Sequence, residues 1–141
     1  MSSAIGETFK AMYDLWETSG SGVPKNNDLW FGTASQKDNQ GSPILAPFAV
    51  MNEINGRTIP TMSTFLDDMF IQISCYSDRS QGAVVAQDLC DYAVTIYNRV
   101  FLSLGNGYNN AGTLKVASTI SYWLEWEKLW KATVTFRTIS G

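Results

Sequence analysis

Residues Met69 to Leu104 read MFIQISCYSDRSQGAVVAQDLCDYAVTIYNRVFLSL, and the change of period inside this stretch decides the fold. From Met69 to Tyr76 the residues alternate. Met69, Ile71, Ile73 and Cys75 share one face, while Phe70, Gln72, Ser74 and Tyr76 share the other. A period of two is that of a strand with one face on a core. Ser77-Asp78-Arg79-Ser80 breaks the alternation, and Asp78 followed by Gln81 has the form of a reciprocal helix cap. Beyond it the period becomes helical. Val85, Leu89, Tyr92, Ala93, Ile96 and Val100 recur at spacings of three and four, with Gln87, Asp91 and Asn98 opposite. The pattern predicts one helix running to Leu104 and ended by Gly105 and Gly107. A second apolar line on it, Cys90, Val94, Tyr97 and Phe101, predicts that it touches two things. The second is the N-terminal helix or a neighbouring subunit.

Working outward, Ser3 to Glu17 reads as a helix. Ile5, Phe9, Met12 and Trp16 form its stripe, and Glu7, Lys10, Asp14 and Glu17 lie away from it. Asp28 to Gly32 is a short apolar run, a candidate strand. Thr33 to Ser42 reads as an exposed polar loop. Phe48 to Ile54 reads as a strand, and Asn55-Gly56 as a tight turn. Arg57 to Asp68 has apolar residues without a period, and is either a connecting loop or the far arm of a long hairpin. Asn106 to Gly112 reads as a loop and Thr113 to Ser118 as a weak strand. Ala132 to Thr138 reads as a strand with one wet face. The order predicts a single α+β domain: a mostly antiparallel sheet of about four strands, with an N-terminal helix and one long central helix packed on it.

Composition narrows the function classes. The chain has 141 residues, of which 16% are charged and 13% aromatic, with five Trp and a net charge of −3. Low charge with many rings suits a subunit that buries surface in an assembly. No basic patch supports phosphate binding. No apolar run is long enough to cross a bilayer. Met1-Ser2-Ser3-Ala4 lacks the basic and apolar regions of a signal peptide, so cytoplasmic synthesis is expected. Cys75 and Cys90, in a reducing compartment, are expected to be buried thiols.

There is no histidine, which removes the commonest general base and the commonest metal ligand. No serine sits in a nucleophile elbow. Gly105-Asn106-Gly107 follows a helix rather than opening one, so it does not cradle a phosphate. Glu125 and Glu127 lie near Lys128 and Lys131 and read as a salt-bridged surface on a strand. The reading is of a chain with no catalysis and no cofactor.

The strand ending in CYSDRSQGAVVAQDLCDYAVTIYN, the proline-flanked Pro47–Ile54 segment, the N-terminal helix and the closing WKATVTFRTIS resemble the tail terminator, or tail-completion, proteins of long-tailed bacteriophages. The resemblance covers most of Ser3 to Ser140, but not the Arg57–Asp68 insert or the Trp-rich stretch. It implies a homo-hexameric ring in the virion that caps the last ring of tail-tube protein. Such a ring stops tube growth, meets head-closure or other neck proteins and lets DNA pass without specific binding. Another neck ring, or a non-viral small-molecule-binding α+β domain, is the alternative. Within the ring reading, Met62, Phe65, Tyr122, Trp123 and Trp126 are the candidate interface residues. Asp67 and Asp68 are the candidate channel-facing acids, since negative walls repel phosphate.

Overall fold

The computed structural model describes residues 4–18, 29–31, 48–60, 65–105 and 107–141. Helix α1 spans Ala4–Thr18 and α2 spans Ala83–Tyr97. The strands are β1 (Leu29–Phe31), β2 (Phe48–Pro60), β3 (Phe65–Asp78), β4 (Asn110–Ser118), β5 (Tyr122–Leu124) and β6 (Leu129–Ser140). Their order in the sheet is β1-β2-β3-β6-β4, with β5 also paired to β6. All the pairings are antiparallel except β1 with β2, which is parallel. The α+β expectation therefore holds, with two more strands than expected. The candidate loop from Thr33 to Ser42 lies outside the described residues.

The core lies between the two helices and one face of the sheet. Met69, Ile71, Ile73 and Cys75 from β3 and Ala132, Val134 and Phe136 from β6 are fully buried against Leu89, Ala93, Ile96 and Tyr97 of α2. Both apolar lines of α2 thus meet the same core. Tyr97 sits edge-on to Phe136 at 5.7 Å and donates its hydroxyl to the Met12 carbonyl of α1 at 2.5 Å. Trp16 meets Tyr92 edge-on at 5.1 Å. The second line of α2 does reach the N-terminal helix. Cys75 and Cys90 are free and buried. Burial pushes the Cys75 thiol well up, and contact with Cys90 adds to the effect.

Several local readings are corrected. The reciprocal cap forms: the Gln81 N–H donates to Asp78 Oδ1 at 2.9 Å, and the Asp78 N–H donates to Gln81 Oε1 at 3.0 Å. It closes a turn, however, and the helix begins only after Gly82, whose φ is 81°. The helix ends at Tyr97, not Leu104, because the next residues turn to the sheet. Arg99 takes a left-handed φ of 62°, and the Arg99 N–H and Val100 carbonyl bond Thr113 of β4 at 2.7 and 2.9 Å. The Asn110 side chain holds this run, accepting from the Leu102 N–H at 3.1 Å. Phe101, expected on the second apolar line, is consequently 75% exposed.

Asn55-Gly56 is not a tight turn. β2 runs through it to Pro60, and the register slips between Glu53 and Asn55, a bulge that leaves Ile54 exposed. Of the two readings of Arg57–Asp68, the long hairpin is correct: Arg57 pairs with Asp68 and Pro60 with Phe65. β4 begins at Asn110, inside the expected loop. The outward face of β6 is not wet, since Thr133 and Thr135 are buried. β6 is flanked on both sides, and Thr119 lies beside it, its N–H donating to the Thr133 carbonyl at 2.9 Å and its Oγ1 2.9 Å from that of Thr133. Glu7, read as lying off the core, is 5% exposed and accepts the Gly105 N–H at 3.2 Å.

Candidate assembly surface

The residues singled out from sequence fall into two groups, and the structure puts them at opposite ends of the sheet. Asp68 pairs with Ile139 near one end of β3 and β6, whereas Asp78 pairs with Leu129 at the other. Ten residues of strand between Asp68 and Asp78 separate the ends by about 33 Å. The two groups therefore cannot make one site.

At the first end is the tip of the β2–β3 hairpin. Met62 lies outside the described residues, and Phe65 opens β3 opposite Pro60. Asp68 is expected from sequence as a channel-facing acid. It is instead 2% exposed, and Arg137 donates to it through Nε at 2.9 Å and Nη2 at 2.8 Å. The hydrogen bonds and charge of Asp68 raise the Arg137 pKa above its ordinary value. Cross-strand register explains why sequence could not show this pair. The partner is 69 residues away and sits diagonally across the β3–β6 ladder. Asp67 is half-buried and lies opposite Ser140.

At the second end is the β5–β6 hairpin. Glu125 and Glu127 lie in its turn, not on a strand, and Lys128 takes a φ of 56° to close it. The Lys128 N–H donates to the Leu124 carbonyl at 2.9 Å. The expected ion pair is present between Lys128 Nζ and Glu125 Oε1 at 2.5 Å, and Trp123 Nε1 donates to Glu125 Oε2 at 2.7 Å. Those two donors lower the Glu125 pKa, Lys128 most. Trp123 packs edge-on with Trp130 at 5.3 Å. Both line an open cleft of about 640 Å³ beside Arg79 and Lys128. Trp126 projects from the tip at 95% exposure and is not part of that pair. Tyr122 ends a row across the sheet face opposite the helices: Phe48, Tyr76, Lys131, Tyr122. In that row Phe48 stacks on Tyr76 at 5.0 Å, and Lys131 Nζ lies 5.7 Å from the Tyr76 ring centre.

Sequence reading missed a third feature, the β4 edge. Leu114, Val116 and Ile120 are exposed at 53, 48 and 82%, and Phe101 stands beside them. Phe101, Leu114, Arg99 and Ile139 border a groove of about 310 Å³. Lone exposed apolar residues are ordinary, but a run of them along a sheet edge marks a contact surface. A weak strand pattern with Asn and Gly at its start concealed it.

Among the described residues no three Cys, Asp or Glu side chains gather to hold a metal, and no helix is long and apolar enough to cross a membrane.

No family model matches the chain, and no curated protein matches it in sequence. In structure it superposes on a chain from a "Virion of native gene transfer agent (GTA) particle", with a TM-score of 0.79, 12% identity and 100% of both chains covered. The two chains share a fold.

Proposed function

We propose that this chain is a structural subunit of a phage-like particle, and that it forms a ring ending the tail tube and joining it to the neck. The observation that carries the reading is the full-length structural correspondence to a virion chain. The surface fits the role. A subunit between two different partners needs two different ends, and this sheet has the β2–β3 hairpin at one end and a tryptophan hairpin at the other. In this reading Met62, Phe65 and the β2–β3 tip engage one neighbouring ring, while Tyr122, Trp123 and Trp126 engage the other. Exposed rings are the residue type that such contacts enrich. Partners are further copies of the chain, in a hexamer, with tail-tube protein and a head-closure or other neck protein. DNA passes without specific binding, and no cofactor or catalysis is involved.

Asp67 is the acid that faces the lumen in this reading, because Asp68 is buried against Arg137. Asp67→Lys should leave the ring assembled and slow DNA passage, because each added phosphate contact favours retention. The role itself is tested by deleting the chain from a producing strain and imaging the particles. The expected result is full heads beside unjoined tails of irregular length. Joined particles with tails of normal length would overturn the reading. Removing Thr61–Thr64 should preserve the circular dichroism of the isolated chain while blocking joining.

A further inference from the structure

On the two sides of the sheet, β2, two residues past Met51, its last described pair with β1, and β4 carry opposite charge at the same height. Directly opposed residues form a row across it: Glu53 of β2, Ile71 of β3, Phe136 of β6 and Lys115 of β4. Ile71 and Phe136 are buried beneath the helices, whereas Glu53 and Lys115, at the two ends of the row, are exposed. Opposed residues point to the same face of a sheet, so both charges stand on the helix side. Neither has an ion-pair partner among the described residues. Next to Glu53 the bulge pushes out Ile54, which is 53% exposed. Next to Lys115 lies Leu114, also 53% exposed, on the rim of the Phe101 groove. Arg99, exposed and likewise without an ion-pair partner among the described residues, adds a second positive charge at that edge.

We infer that Glu53 and Ile54 of one copy dock on the Lys115, Arg99 and Leu114 edge of the next, with Ile54 entering the groove beside Phe101. The inference rests on the ring reading and gives its subunit contact. Direction follows from the ladder. β2 and β4 run antiparallel within one sheet, so a neighbour placed edge to edge meets this chain antiparallel as well. In that orientation Ile54, just after Glu53, is brought toward Leu114, just before Lys115. Charge and apolar matches coincide. The contact is made by side chains, because the outer edge of β4 is already closed at this height. The Thr113 N–H and carbonyl bond Val100 and Arg99, and the Lys115 N–H donates to Asn98 Oδ1 at 3.0 Å.

Because the two patches are different, the contact is head-to-tail. A head-to-tail contact closes into a ring where its rotation permits.

Glu53 and Lys115 are themselves a carboxylate and an amine, so a zero-length carbodiimide can join them where they meet. A mixture of nitrogen-14 and nitrogen-15 labelled full-length chain at its highest soluble concentration, and purified particles, would be treated and digested. The expected product is a mixed-isotope peptide pair linked through Glu53 and Lys115, lost in Lys115→Arg, which keeps the charge but cannot form the link. Glu53→Lys and Lys115→Glu should each weaken self-association by about tenfold or more, and the double change should restore it. Absence of the linked pair from both samples, or no restoration in the double variant, overturns the inference. A ring seen in particles without this link defeats the contact alone. The link in a chain that sits in particles outside any ring defeats the ring reading and leaves the contact standing.

Discussion

Replacing Leu89 by Ala tests the phase of α2, on which the packing of helix against sheet depends. Leu89 is fully buried beneath β3 and β6, whereas Val84, five residues earlier, is 68% exposed. Leu→Ala deletes three carbons, and at about 0.8 kcal/mol for each buried methylene the transfer cost is about 2.4 kcal/mol. A cavity that collapses incompletely raises this toward the upper part of the 2–5 kcal/mol range seen for such changes. The site lies between a helix and two paired strands, which restricts collapse, so about 3 kcal/mol is expected. Urea titration followed by tryptophan fluorescence measures it. The midpoint should fall at an unchanged slope, since the surface exposed on unfolding is the same. Val84→Ala, in the same helix, should change stability by less than about 0.5 kcal/mol. A Leu89→Ala loss under about 1 kcal/mol, or equal losses for the two variants, would refute the phase.

Three further outcomes are expected. Asp78→Ala removes the acceptor of the Gln81 N–H and Ser80 hydroxyl from a half-buried group and should cost about 1 kcal/mol. Those donors, Ser80 most, hold the Asp78 pKa below its ordinary value, so its stabilisation is present above the ordinary carboxylate pKa and lost as pH falls through the lowered one. The gap between wild type and variant in thermal melts should therefore close in acid. Arg137→Gln should destabilise more than Asp68→Asn in the same melts, because it strips two donors from a carboxylate 2% exposed, while the 41% exposed Arg137 side chain can turn to water. Cys75 and Cys90 should resist a thiol reagent in the native chain and both react in denaturant, because burial holds the Cys75 thiol protonated and access is closed to both.

Local periodicity was enough to determine the two helices, the strand from Met69 to Tyr76, the closing strand and the buried set Ile71, Ile73, Leu89, Ile96 and Val134, because each depends on which side of one element is apolar. Near-neighbour chemistry also carried through: the Asp78–Gln81 cap and the Glu125–Lys128 pair span only three residues each. What failed needed a partner distant in sequence. The end of α2 at Tyr97 is set by Thr113, which offers Arg99 and Val100 a ladder bond that continued helix would not. Asn55-Gly56 became paired strand just past a bulge, since Phe70 and Met69 were there to pair with it. Asp68 was legible as an acid but not as a neutralised one, because Arg137 reaches it only through the β3–β6 register. The same register puts Glu53 and Lys115 at the two ends of one row, 62 residues apart in a chain whose sequence gives no sign of the match. Sequence determines which faces are apolar; strand register, a tertiary property, decides which charges meet.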